Sequence, residues 1–392
     1  MLKNQELSRS LPEAVVNIEE KTRSNLFTWR GQFSPQLIES LLQAYGTSDS
    51  RVFDPFVGSG TVLYEAALLG LPASGCEINP AAVAFARIYE LSNEEKNTRD
   101  RAVAYVEDFV SRYTTDLPRF SGYSFTDFQK QLIAIHASCK DAVARKILTA
   151  LIVGLDFESK KVDLKRVLSV WGVLRSNIER LPHTNKRLNC YDADARRVPI
   201  EDNEFDLVVT SPPYINVFNY HQNYRKSVEL LGIDVLKVAR SEIGANRKFR
   251  QNRFITVVQY CMDMAQVIAE LKRVCKADAK IIFIVGRESN VKKVAFYNAA
   301  LLREVAQISG LGLVGEQHRV FGNKFGQDIY EEILRFRIDN KFHSVDILER
   351  AREVGIRALK ANTERASKAI KTEIADAIEK SRTIEPSPIL GN

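Results

Sequence analysis

The string Asp54-Pro55-Phe56-Val57-Gly58-Ser59-Gly60-Thr61 constrains the fold of this chain more than any other feature. It follows the short apolar run Val52-Phe53 and leads into TVLYEAALLG, a helical segment that ends on glycine. A strand, a glycine turn and a helix in that order bring backbone close to a ligand and aim unpaired N–H groups at it. Two phosphate-binding versions of the unit are disfavoured on residues. A P-loop needs a lysine after its last glycine, where Thr61 stands, and a dinucleotide fingerprint needs a glycine where Leu63 stands.

Beyond this unit, short β-branched runs alternate with helical segments, which predicts a parallel sheet with crossover helices. Strands are expected at 51–54, 73–78, 187–193, 205–210 and 280–285, with helices at 61–70, 80–91 and 257–274. Residues 312–321 and 331–337 suit a closing antiparallel hairpin. Residues 94–186 are helical in character and read as an inserted lobe. The expected division is 1–93, 94–186, 187–340 and 341–392, the last a charged helix and tail. Its sparse apolar positions at helical spacing favour docking against the body over a DNA-gripping or dimerisation role.

A chain of 392 residues with 45% hydrophobic residues can bury a large core. The net charge of +7 fits a polyanionic partner, because clustered Lys and Arg release counterions from phosphates. The five cysteines form no CxxC pair and no Cys/His cluster, so no metal site or disulfide framework is expected, and a reducing, cytoplasmic setting follows. The first residues lack the apolar core of a signal peptide, and no uncharged stretch reaches membrane-spanning length.

A second string, Thr210-Ser211-Pro212-Pro213-Tyr214, follows the apolar run FDLVV, at a strand end where open α/β sheets bind ligands. Its prolines fix φ and stiffen the turn, so the Ser211 oxygen and the Pro212 carbonyl are preorganised acceptors. Acceptors aimed at an exocyclic amino group would pull its delocalised nitrogen toward tetrahedral geometry, and Tyr214 offers a ring face for an extruded base. Glu77, at the end of the second strand, is placed to accept hydrogen bonds from two ribose hydroxyls.

Together the two strings resemble the signature motifs of the S-adenosylmethionine-dependent amino-methyltransferases of DNA, the N4-cytosine/N6-adenine family of SPPY type. The resemblance covers roughly 30–90 and 187–340. It implies a Rossmann-like methyltransferase fold: a mostly parallel seven-stranded sheet with a closing antiparallel hairpin, here with the helical lobe inserted. It implies that Asp54, Phe56, Gly58, Ser59, Gly60 and Thr61 line the methionine part of S-adenosylmethionine and that Glu77 holds the ribose. Gly31-Gln32-Phe33-Ser34-Pro35 resembles the segment that packs against the methionine moiety, and equally an N-capped helix start. Asp194-Ala195-Arg196 resembles the element whose acid meets the adenine amino group, with Asp192 a competitor.

By the same resemblance Ser211, Pro212, Pro213 and Tyr214 are the catalytic residues. Ser211 favours cytosine N4 over adenine N6, and no cysteine follows a proline as cytosine C5 chemistry would need. His221 reads as a satisfied polar side chain. Arg225, Arg247, Lys248, Arg250 and Arg253 are candidate phosphate contacts. The partners implied are double-stranded DNA and a cognate restriction endonuclease or other defence-system proteins. The motif order matches the subgroup whose target-recognition region lies between the motifs, which assigns that role to 94–186 with the 215–255 loop as a second contributor, a scaffold or a dimer surface being the alternative use of the insertion. An RNA amino-methyltransferase and a non-catalytic DNA-binding protein are the alternatives.

Overall fold

The computed structural model describes residues 2–29, 32–113, 125–157, 162–215, 219–245, 249–322, 326–339, 346–364 and 366–391. Seven strands form the main sheet: β1 (Val52–Asp54), β2 (Ala73–Glu77), β3 (Leu188–Asp192), β4 (Phe205–Thr210), β5 (Cys275–Gly286), and a hairpin pair. Two short strands, β6 (Ser289–Val291) and β7 (Val294–Phe296), lie outside it, and the pair is β8 (Leu311–Gly322) and β9 (Asp328–Ile338). The order is β3-β2-β1-β4-β5-β9-β8. The first five strands run parallel, and β9 pairs antiparallel with both β5 and β8.

This order sets the site. β1 lies between β2 and β4, so the chain reverses its winding beside β1 and leaves a crevice at the carboxyl ends of the central strands. Both diagnostic strings sit there. Their strands are covered on both faces, which is why VFD and FDLVVT read as nearly continuous apolar runs. The stacked rings of Phe53 and Phe205, 4.6 Å apart, fasten β1 to β4.

Helices Lys96–Ser111, Phe125–Ser138, Ala142–Leu155 and Leu164–Glu179 fill the region between β2 and β3. Asp141 and Asp163 cap two of them by accepting the N–H groups of Ala144 and Arg166. Ile147, Leu148 and Leu151 share one buried cluster with Leu63, Val83 and Phe85 and with Val209 and Ile282 of the sheet. The insertion is therefore continuous with the core on that face.

On the opposite face, helix Ile255–Val274 is buried between the sheet and two closing helices, Ile347–Thr363 and Lys368–Ser381. The docked-helix reading of the last stretch holds, with two helices where one was expected: Ala351, Val354, Leu359, Ile374 and Ala377 are buried. Gly355 permits the close approach, since a Cβ there would lie 2.6 Å from the Val258 Cα.

The helix expected over 80–91 ends at Ala86 and gives way to a 3₁₀ turn, Tyr89–Asn93. That turn places Tyr89 against Gly60. The β6–β7 hairpin was not expected, because its turn residues Lys292 and Lys293 adopt positive φ without the usual Asn-Gly signal. The edge of β8 is shielded by the chain start. Gln317 exchanges two hydrogen bonds with the Leu11 backbone, and the Val320 N–H donates to Asn17.

Candidate active site

Four strand ends, β1 to β4, open on one cleft. Gln32, Phe33, Phe56, Gly58, Ser59, Thr61, Glu77, Asp194 and Ala195 line it, as do Ser211 and Pro213.

The glycine corner is built by backbone. Gly58 and Gly60 take φ of +52° and +98°, conformations that favour glycine. A Cβ on Gly60 would lie 2.5 Å from the Tyr89 ring, so packing excludes a side chain as well. Glu77 braces the corner, its two oxygens accepting the N–H groups of Gly58 (3.2 Å) and Asn79 (2.8 Å). Burial pushes its carboxyl to about 7 despite these bonds. Gln32 donates to the Ser59 hydroxyl at 2.6 Å and so ties the upstream segment to the turn. Ser34 precedes helix Pro35–Tyr45 in extended conformation without a side-chain cap bond, and Gly31 lies outside the described residues.

Asp54 is fully buried and does not line the cleft. One oxygen accepts the Phe56 N–H at 3.0 Å and the Thr210 hydroxyl at 2.5 Å, while the other has no partner. Desolvation raises it to about 7. The Thr210 bond joins the two diagnostic strings directly, 156 positions apart in sequence.

At the proline corner Ser211 and Pro213 face the cleft and Pro212 is buried. Tyr214 is not among the lining residues. Its ring packs on Gly286, where a Cβ would sit 2.9 Å from the Tyr214 Cε2, and its hydroxyl meets Ser211 at 3.4 Å and Glu331. Glu331 in turn accepts from buried Arg319 at 3.0 Å, and burial raises the Tyr214 phenol.

Part of the lining escaped sequence reasoning: Ser241, Glu242 and Ile243, with Tyr220, and with Trp29 beside Gly58. Glu242 accepts the His221 backbone N–H at 2.7 Å and pairs with its ring Nδ1 at 2.8 Å, so His221 is the satisfied buried group the sequence suggested. Asp194 lines the cleft, yet its oxygens already accept the Arg196 N–H, Nε and Nη2 and the Leu390 N–H. A carboxylate offers about four acceptor positions, and these bonds occupy them. Asp192 is exposed at the end of β3.

Of the candidate phosphate contacts, Arg250 and Arg253 are exposed, whereas Arg225 is held by Glu229 at 2.7 Å. Arg247 and Lys248 lie outside the described residues. Among the described residues no cluster could hold a metal ion, and no helix is long and apolar enough to cross a membrane. All five cysteines are buried and unpaired.

With this geometry in view, comparison with known proteins is informative. The profile of the DNA methylase family matches residues 3–87, which include β1, the glycine corner and Glu77. The chain is similar to S-adenosylmethionine-dependent DNA amino-methyltransferases. It is 25% identical to the type II methyltransferase M.BsoBI of Geobacillus stearothermophilus over 55% of this chain and 53% of that protein. It is 20% identical to M.MjaII of Methanocaldococcus jannaschii over 82% of each, and 19% identical to M.AvaI of a Nostoc strain over 64% of this chain and 63% of that protein. The chain thus spans about half the length of M.BsoBI. Among solved structures, a methyltransferase from Methanosarcina mazei is 11% identical with a TM-score of 0.35, over 76% of this chain and 96% of that one.

The cofactor this kinship supports is S-adenosylmethionine, and the residues fit it. The glycine corner leaves room for close approach, and Glu77 faces the cleft with acceptor capacity.

Proposed function

We propose that the protein methylates an exocyclic amino group of a flipped base in DNA, with cytosine N4 as the favoured acceptor. One observation carries the reading: Gly58 and Ser59 line the same cleft as Ser211 and Pro213, and the Thr210–Asp54 bond holds the two corners together. When bound, S-adenosylmethionine supplies an electrophilic methyl on a sulfonium. Gly58 and Ser59 present backbone to the methionine part, and Glu77 accepts from the ribose hydroxyls. Ser211 and the Pro212 carbonyl accept the amino N–H groups, which concentrates the nitrogen lone pair toward the methyl. Ser211 and the Pro212 carbonyl would thus hold the amino nitrogen toward that methyl, and the proton that the nitrogen gives up on methylation would pass to solvent.

Tyr214 rests under Gly286, so it would meet a base only after a rotation of its side chain; Tyr220 already faces the cleft and is the nearer aromatic. Ser211 in place of an acidic or amide residue supports cytosine N4; adenine N6 is the second reading within the same chemistry. Residues 94–186, together with the loop bearing Arg250 and Arg253, are the proposed reader of DNA sequence, in keeping with a role beside a restriction endonuclease in the cytoplasm.

Labelled S-adenosylmethionine incubated with the protein and either double-stranded DNA or RNA tests this, with the modified nucleoside identified by mass spectrometry. N4-methylcytosine in DNA is expected. N6-methyladenine would transfer the reading to adenine, label only in RNA would replace the substrate, and no label in either would remove the catalytic reading.

A further inference from the structure

The residues that follow the last helix do not trail into solvent. They return to the back of the cleft, and their route is anchored at each step. Arg352 donates to the carbonyls of Ser381 and Ile384 at 2.6 Å each, and Gln259 donates to that of Glu385 at 3.0 Å. Ser387, 2% exposed, gives both its N–H (2.7 Å) and its hydroxyl (2.5 Å) to Asp263. The Leu390 N–H donates to Asp194 at 3.1 Å.

Arg196 is the centre of this arrangement. Its side chain is fully buried, and its five N–H groups reach Asp194, Asp263, and the carbonyls of Ser241, Ser387 and Pro388. Asp194 and Ser241 line the cleft, and they come from segments that are far apart in sequence. The guanidinium therefore joins two pieces of one cleft wall to the closing segment. Without residues 385–391, Arg196 would lose two of its acceptors, Asp263 two of its donors and Asp194 one. A buried charge left short of partners is costly enough to move the elements that carry it. Pro386 and Pro388 restrict the free segment, which lowers the entropy lost when it docks.

We propose that residues 385–391 are a latch on the cofactor cleft: their docking positions Asp194 and Ser241 through Arg196, so latch closure and cofactor binding favour each other. The inference rests on the reading of this cleft as the cofactor site. Arg196, Asp263 and Ser387 are positioning residues in it. Coupling is reciprocal, so whatever the latch contributes to cofactor affinity, the cofactor returns as protection of the latch.

S-Adenosylhomocysteine is the probe. In the intact chain its binding should slow amide exchange at Ser387 and Leu390 beyond any slowing in helix Ile255–Val274. Leu390→Pro removes a single donor to Asp194 and should weaken binding about fivefold, and a stop after residue 384 on the order of tenfold or more. In methyl-transfer assays KM for the cofactor should rise in both while kcat at saturating cofactor stays unchanged, a split that mere loss of folded protein would not produce. Binding by the intact chain with equal affinity in Leu390→Pro, whose fold is checked by its melting curve, overturns the latch alone. Failure of the intact chain to bind overturns the cofactor reading and the latch together.

Discussion

The two walls of the cleft are built on opposite plans. The glycine wall comes from 26 consecutive positions, 54–79, held by backbone conformation and by Glu77 bonds within them. The second wall is assembled from β3's exit and the turn at 241–243, joined to each other and to residues 387–390 by one buried arginine. The first is rigid because its parts are local. The second is held by a charge network that loses several bonds if any member is removed, so the two walls should fail differently.

Substitution in the glycine wall should abolish binding with modest loss of fold. Gly58→Val meets no close neighbour, the nearest atom being Trp29 Cδ1 at 3.7 Å from the new Cβ. The cost to the fold is therefore the positive-φ penalty, about 1–2 kcal/mol, while the added branches enter the cofactor space. Calorimetric binding of S-adenosylhomocysteine should fall below detection with the protein still folded. Gly60→Val should also unfold the corner, because its Cβ strikes Tyr89. If Tyr214→Ala lost cofactor binding as completely as Gly58→Val, the division between a cofactor corner and a reactive corner would be wrong.

In the assembled wall the order of loss should reverse. Arg196→Met leaves Asp194 and Asp263 buried without their shared cation, a change that costs about 3–5 kcal/mol. Denaturant unfolding should show that loss, and cofactor binding should weaken only in proportion to the displaced wall. A variant as stable as the parent would mean that the network is not what joins the three segments.

The same contrast explains what could be read from the sequence. DPFVGSGT and TSPPY announce their local structure through neighbours in sequence, so the sheet, the two corner turns and the place of Glu77 at a strand end were legible. The hairpin β8–β9 was legible for the same reason. Arg196 stood inside a quoted motif, yet its partners Asp263, Ser387 and Pro388 are 67 to 192 positions away, and no periodicity reports such contacts. Glu242 was hidden likewise in a loop, and the orientation of Tyr214 depends on Gly286 across the sheet. Residues 216–218 and 246–248, which include Arg247 and Lys248, lie outside the described structure.

A smaller effect tests the bridge between the corners. Thr210→Val preserves shape and removes the hydroxyl that donates to Asp54, leaving a buried acceptor short of one partner, about 1–3 kcal/mol. The loss should appear in unfolding free energy and in turnover, because Ser211 is the next residue. Unchanged turnover with reduced stability would show that the bond holds the sheet and not the reactive turn.

The smallest effect, a pH dependence, separates the glycine wall's chemistry from its packing. Burial raises Asp54 from 3.8, and Glu65 and Glu77 from 4.5, each to about 7. Glu65 keeps a raised value even though Arg23 donates to it at 2.7 Å, since desolvation outweighs the pair. Folding thus favours the protonated carboxyls. Their contribution to stability is fully present below the ordinary carboxylate values and is lost as pH rises through about 7. Cofactor binding has the opposite sign at Glu77, because ribose hydroxyls donate to the ionised carboxylate. Between pH 6 and 8 the melting temperature of the free protein should therefore fall while affinity for S-adenosylhomocysteine rises, by up to about tenfold. Glu77→Gln should flatten the affinity curve and leave the part of the stability curve due to Asp54 and Glu65. An affinity that falls with pH in the parent chain would place the ribose somewhere other than on Glu77.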